Sequence, residues 1–434
     1  MLDVRSRNTD VDSENILWHL QENGITRHHP EQNRHRSICG LNALKAHNDG
    51  HLGKGVTVAI IDSGADREHH NLTDAISAKS ASFEAYHDGQ GQTATDKKIF
   101  NRFDAHGSAL AGIVAGRPNH RVSAADLDKL TPQDQALVKT YTGVAPAAEV
   151  LVIRLFVNFQ PEQFESALNY AAKHADVLLL ARTLPQVRKK RATAALADDP
   201  DARASTDTLD DSSSFSRIES LLTNIAKEMP VVCAAGNGGF DELSFPASLS
   251  MTIAVGAVNE LGWRSTYSQY GSGLDVVAPS SDAELLNRDQ NRVRLSRKTA
   301  KERRFTGDPN SERLGYWGIV STDNHGEWGY VGLVGEPGNF TPQKGELRFG
   351  GTSAAAAQVA GVVALMIGAN PALRNRPAKI REILRKTATF KELDDALTRD
   401  NQNRRDASTQ PSAEFGWGLV DATDAVKEAA RSTD

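Results

Sequence analysis

The stretch Phe349-Gly-Gly-Thr-Ser-Ala-Ala-Ala-Ala-Gln-Val-Ala-Gly-Val-Val-Ala-Leu-Met-Ile-Gly368 constrains the fold more than any other part of this chain. After two glycines and a Thr-Ser pair it runs apolar and small for about four helical turns, and no polar face appears before Asn370. A helix that is apolar all round has to be covered all round, so a large core must be wrapped about it. Thr352 is expected to cap this helix, its hydroxyl satisfying backbone donors of the first turn. Ser353 then stands at a helix N-terminus, where free N–H groups and the macrodipole stabilise negative charge. The small side chains from Ala354 to Ala357 let other backbone approach closely. Taken alone, the stretch also reads as a buried Ala-rich helix with a capping pair and no chemistry.

Other segments supply the material for that core. Gly55-Val-Thr-Val-Ala-Ile-Ile-Asp-Ser-Gly64 contains a continuous β-branched run, as expected of a parallel strand buried on both faces, and it ends in Asp62. Ligands of open α/β sheets gather at the carboxyl ends of strands, although an Asp there can also simply form a turn. Asp104-Ala-His-Gly-Ser-Ala-Leu-Ala-Gly-Ile-Val-Ala-Gly116 repeats the pattern of a polar residue and glycine ahead of a small apolar helix. Near an Asp-ended strand and a Ser-headed helix, His106 becomes a base candidate, where a lone His at a helix start would be structural. Strands are expected at Val150 to Val157, Asp176 to Ala181, Val231 to Ala235, Met251 to Val258 and Leu274 to Ala278. Helices at about 161–174 and 215–229 alternate with them, and further helices are expected at Ala378 to Ala388 and within 415–431. This alternation implies an α/β fold: a doubly wound parallel sheet with helices on both faces. Asn237, flanked by glycines in Ala234-Ala-Gly-Asn-Gly-Gly239, projects its amide from the end of one strand.

The remainder of the chain sets limits. Residues 1–50 read as a polar N-terminal extension, partly packed on a catalytic domain of residues 51–434, with one short helix near Ile16 to Leu20. The histidines around Arg27 to Arg36 lack metal-ligand spacing and read as solvated loop. Insertions are expected near 118–141, 186–214 and 280–318, the last two carrying the basic tracts Arg188 to Arg191 and Arg288 to Arg304. A net charge of −5 argues against nucleic-acid binding. No apolar run approaches the ~20 residues of a membrane span, and the N-terminus lacks the apolar core of a secretory signal. Cys39 and Cys233 support no disulfide framework, and Cys233 reads as a reduced core thiol. The chain is expected to be cytoplasmic.

Asp62, His106 and Ser353 stand in the chain order of one known triad arrangement. With Asn237, the four blocks resemble those of subtilisin-like serine proteases, and most of all the branch with the kexin-type proprotein convertases. Gly143-Val-Ala-Pro146, Asp275-Val-Val-Ala-Pro279 and Gly416-Trp-Gly-Leu-Val-Asp-Ala422 support it. The resemblance runs from about Trp18 to Ala430. It implies a serine endopeptidase in which Ser353 attacks a peptide carbonyl, His106 is the base, Asp62 orients His106, and Asn237 donates to the oxyanion. It also implies a protein or peptide substrate held at Leu180, Ala181, Arg182, Thr183 and Gly236, by pairing along a strand edge.

The chain departs from the pattern at that edge. Where subtilisins and kexins carry Asn, Ser and Gly, this sequence reads Leu179-Leu-Ala-Arg-Thr183. Thr183 is expected to crowd the entrance and Arg182 to select an acidic neighbour, so the kexin preference for basic residues is not carried over. Ser108-Ala109 and Ala357 are milder departures. Asn71 replaces an Asp that often helps bind calcium in the family, and a neutral amide is a weaker ligand for that cation, so no metal or other cofactor is expected. No inhibitory prosegment of family length is recognisable before residue 50. One of the long basic loops is therefore expected either to block the cleft or dock a regulatory partner, or to be a solvated insertion. A catalytically silent peptide-binding module on the same fold is the alternative function.

Overall fold

The computed structural model describes residues 16–29, 34–83, 99–101, 104–155, 160–184, 212–282, 317–326, 328–332, 338–344, 348–393 and 410–432. Both basic tracts lie outside these residues, and so do the expectations attached to them.

The chain opens with a short 3-10 turn at Trp18–Leu20, then an antiparallel hairpin of β1 (Ile25–His29) and β2 (Arg34–Ile38), where solvated loop was expected. Its composition is too polar to display an alternating apolar signal. Trp18, Leu20, Ile38 and Leu41 are buried in the main core, and the Trp18 indole donates to the Gly318 carbonyl (3.0 Å).

Seven parallel strands follow: β3 (Thr57–Asp62), β4 (Ala81–Ser82), β5 (Glu149–Arg154), β6 (Val177–Leu180), β7 (Val231–Ala234), β8 (Ile253–Val258) and β9 (Val276–Pro279). They form one sheet in the order β4-β5-β3-β6-β7-β8-β9. The expected α/β architecture is found, with the strands shorter by a few residues than their apolar runs. Alternate residues of each strand feed two cores. Val58, Ile60, Val152, Val177, Leu179 and Val232 face the helices that include the Ser353 helix. Ala59, Ile61, Ile153, Leu178, Leu180 and Cys233 face helices Pro161–His174 and Ser212–Glu228. Burial on both faces is why these strands read as unbroken apolar runs. The cysteines are free and buried.

The strand order reverses between β3 and β6, since the chain builds β4 and β5 on one side of β3 and β6 to β9 on the other. The carboxyl ends of β3 and β6 therefore open a crevice at the switch point, and Asp62 and Ala181 stand there.

The Ser353 helix, Gly351–Ala369, is 19 residues long. It is long and apolar enough to cross a membrane, contrary to the expectation of no such run, yet it is buried from Gly351 to Ile367 within the domain. The stretch 118–141 is more than a surface insertion. Ser123 and Thr131 cap short helices at Ala124–Leu127 and Pro132–Thr140, and Leu137, Val138 and Tyr141 pack with Ile16, Val320 and Phe340.

Packing against the Ser353 helix is tight. A Cβ placed on Gly361 would stand 2.6 Å from the Val144 Cβ, in the Gly143 to Pro146 segment. Gly361→Ala removes a helix glycine, a gain of about 1 kcal/mol, but forces overpacking that costs typically 1–3 kcal/mol. The variant is expected to unfold at lower denaturant than the wild type, and an unchanged or raised midpoint would show that the helix can shift.

Candidate active site

Asp62 ends β3, 2 % exposed. Its Oδ1 accepts the Ser63 N–H (2.7 Å), and the His106 Nδ1 lies 2.9 and 3.0 Å from its two oxygens. An ionised carboxylate only accepts, so Nδ1 carries the hydrogen and a neutral ring keeps Nε2 as its free acceptor. Helix His106–Ala115 starts at this residue, and the Asp104 carboxylate receives its N–H (2.9 Å). Gly107 is required because a Cβ there would overlap the Gly64 carbonyl, where the two loops touch. The Phe349 ring, two residues ahead of the Ser353 helix, packs against the imidazole with centroids 5.6 Å apart, but no hydrogen bond joins His106 to the Ser353 hydroxyl, which is turned to the Ala181 carbonyl.

That head divides its donors among separate partners. The Gly351 N–H goes to the Tyr267 hydroxyl (2.9 Å) and the Thr352 N–H to Asn237 Oδ1 (2.9 Å). The Ser353 N–H has no partner among the described residues. Thr352 is not the cap: the helix begins at Gly351, so its hydroxyl lies inside the first turn. It donates to Asn237 Oδ1 (2.9 Å) and accepts the Gly236 N–H (3.1 Å). A backbone N–H can face only an acceptor, so these contacts fix the amide's orientation. The Asn237 Nδ2 donors are left without a partner among the described residues. The Ser353 hydroxyl donates to the Ala181 carbonyl (2.9 Å), just beyond β6.

The residues expected to hold substrate divide by environment. Leu180 points into the core on the Pro161–His174 side, with Ile61, Leu155, Phe164 and Leu184 around a small apolar cleft beside Arg182. Ala181 is buried and offers its carbonyl, while Thr183 is exposed. Gly236 has φ +114, and its carbonyl accepts the Gln269 N–H (2.9 Å). Arg182 turns inward: its Nε is 3.2 Å from Asp62 Oδ2, and its Nη2 donates to Asp104 Oδ2 (2.6 Å). Its charge is thus matched within the protein, and no selection of an acidic substrate residue follows from it. Burial would push the Asp62 carboxyl up; the Arg182 cation, the His106 ring and the Ser63 N–H outweigh it and hold it well below the usual carboxylate range. The same two carboxylates hold the Arg182 guanidinium above its ordinary value against the opposing effect of burial.

Asn71 donates to the carbonyls of Arg117 (2.7 Å) and Val138 (3.0 Å), fastening the Asp62 loop to the 118–141 segment. Among the described residues no cluster of three His, Cys, Asp or Glu could hold a metal.

The profile of the subtilase family matches residues 53–418. The chain belongs to the subtilase family. Among its relatives are the intracellular serine protease of Paenibacillus polymyxa, 26% identical over 53% of this chain and 58% of that protein, and the calcium-dependent protease of a Nostoc species, 27% identical over 94% of this chain and 50% of that one. The chain spans about half the length of these relatives. The serine protease of Aeromonas sobria, solved with a chaperone, superposes with a TM-score of 0.63 at 20% identity, over 96% of this chain and 67% of that one. A protease of Pseudoalteromonas arctica gives 0.58 at 22% identity, over 93% of this chain and 96% of that one. These likenesses establish the fold. The relatives named here are bacterial, and the resemblance to kexin-type convertases has no counterpart among them.

Sequence reasoning named Asp62, His106, Ser353 and Asn237 but missed the parts that aim them: Thr352 as the holder of Asn237, Asp104 as the acceptor of the His106 N–H, and Arg182 as the partner of Asp62. Only Asp104 left a readable sign, an acidic residue two before a helix start. Thr352→Val removes both hydroxyl bonds at almost constant shape and leaves the Gly236 N–H unpaired, at about 1–3 kcal/mol. The subtilase variant is expected to lose stability of this order; an unchanged midpoint in equilibrium unfolding would mean that Asn237 needs no such support.

Proposed function

We propose that this subtilase is a serine endopeptidase. Ser353 Oγ attacks a peptide carbonyl and passes its proton to His106 Nε2; the imidazolium then protonates the leaving amine, and water hydrolyses the acyl-enzyme by the same route. Asp62 holds the ring and balances its charge. The oxyanion falls between the Ser353 N–H and the Asn237 amide, donors set in advance. The observation that carries this reading is the division of hydrogen bonds at the head of the Ser353 helix. The acceptor of Asn237 is tied to Thr352, while its donors and the Ser353 N–H are left for a ligand.

The substrate is an extended peptide that adds its backbone along the residues after β6. As it takes the Ala181 carbonyl, it releases the Ser353 hydroxyl toward His106. Cytoplasmic residence is in keeping with two buried free thiols and with two relatives named as intracellular proteases, from Paenibacillus polymyxa and Bacillus subtilis. Calcium dependence is in the name of the Nostoc relative; such a cation takes oxygen ligands, and at Asn71 the atom of that kind is Oδ1, buried without a hydrogen-bond partner among the described residues. A regulatory protein partner is part of this reading, and the Aeromonas sobria protease, solved in complex with a chaperone, is a parallel.

A fluorophosphonate is expected to label the wild type and not Ser353→Ala. A folded wild type that resists labelling would favour the silent peptide-binding module. Asn237→Ala should still be labelled, slowly, and lose roughly 10²–10³ in kcat, the size seen on removing such a donor in a subtilisin. Intact turnover would remove Asn237 from the oxyanion site.

A further inference from the structure

We infer that Arg182 is a positioning residue that sets the pH range of hydrolysis, by clamping Asp62 and Asp104 together and keeping a permanent cation beside the Asp62–His106 pair. The inference rests on the triad reading above. Arg182 stands directly after Ala181, whose carbonyl holds the Ser353 hydroxyl. From there its guanidinium reaches both supports of His106. Nε lies 3.2 Å from Asp62 Oδ2, on the carboxylate that grips the ring. Nη2 donates to Asp104 Oδ2, and the other oxygen of Asp104 receives the His106 N–H. One side chain therefore joins the carboxylate behind the imidazole to the carboxylate that holds the backbone N–H of the same histidine. A planar fork with a permanent charge suits this task, which an ammonium fills less well.

Among the described residues Arg182 is the cation that meets Asp62. Arg154 on β5 lies in register with Asp62, but its Nη1 donates to the Phe100 carbonyl (2.6 Å). Asp66, past the turn, is bonded to His325. The Ser353 helix and β7 bring no charged side chain to the site. A carboxylate shared with a guanidinium has less charge to offer an imidazolium. Arg182 thus extends activity toward acid while fixing the geometry.

The test compares Arg182→Met, Arg182→Lys and Asp104→Asn with the wild type in kcat, KM and fluorophosphonate labelling across pH. In the Met variant the acid limb of kcat/KM is expected to move up by about 0.5–1 pH unit, with kcat down about tenfold and KM little changed. Lys should restore the limb but not all of kcat. Asp104→Asn leaves the Arg182 charge less neutralised, so its limb should move the opposite way, to lower pH; a purely structural role would move both alike. An unmoved limb in Arg182→Met, or a change in KM alone, overturns the inference. If that variant does not fold, the direction in Asp104→Asn decides it. Absence of Ser353-dependent labelling in the wild type defeats the triad reading itself, a result distinct from labelling with unmoved limbs.

Discussion

The Ser353 helix can meet a ligand only at its end. Its sides are covered by the sheet, by the His106 helix and by the closing helix Ala422–Arg431, and its mid-helix polar residue Gln358 is buried and bonded within the protein, so the site gathers at the first turn, where backbone donors have no partner within the helix. The other loops of the site are arranged around that turn. Tyr267 takes one donor, Asn237 takes the next, and the Ser353 N–H is left. The same burial that stabilises the domain thus creates its anion-binding point, and the switch between β3 and β6 places Asp62 and Ala181 beside it.

Much of this frame was legible because strands buried on both faces leave a strong mark. Val58 to Ile61 and Val231 to Ala235 are unbroken apolar runs, and their ends locate Asp62 and Asn237. What escaped was polar or short. The β1–β2 hairpin, rich in His and Arg, has no apolar period, and the helices at Ala124–Leu127 and Pro132–Thr140 betray themselves only by the caps Ser123 and Thr131. Thr352 was misread for a different reason. Gly351 starts the helix two residues ahead of Ser353, which moves the threonine inside the first turn, where its hydroxyl serves Asn237 from 115 positions away.

The departure at Leu179 to Thr183 was visible as a departure, but its meaning was not. An arginine at a strand edge reads naturally as a contact for something outside the protein. Here three segments far apart in sequence, around residues 62, 104 and 182, converge on it, and the guanidinium is consumed by internal carboxylates. Local pattern carries no information about such convergence, since it depends on the sheet order that brings β3 and β6 side by side.

The electrostatics separate the parts of the site that support the fold from those that do not. Burial pushes the Asp62 carboxyl up, yet Arg182 and His106 hold it below its ordinary range. A group depressed on folding contributes stability above its unfolded value, about 3.9, and that contribution is lost as pH falls through the lower folded value. Asp62 therefore stabilises the native state throughout the range in which the ring needs an ionised partner, and fold and chemistry ask for the same thing there. At Ser353 and Asn237 they diverge. Leaving the Ser353 N–H and the Asn237 Nδ2 donors without partners among the described residues forgoes hydrogen bonds worth about 1 kcal/mol each, and Thr352 maintains that arrangement by occupying only the acceptor side of the amide. The cost of readiness thus falls on the donors that await a charge, while the acid–base pair is held by interactions the protein would keep for stability alone.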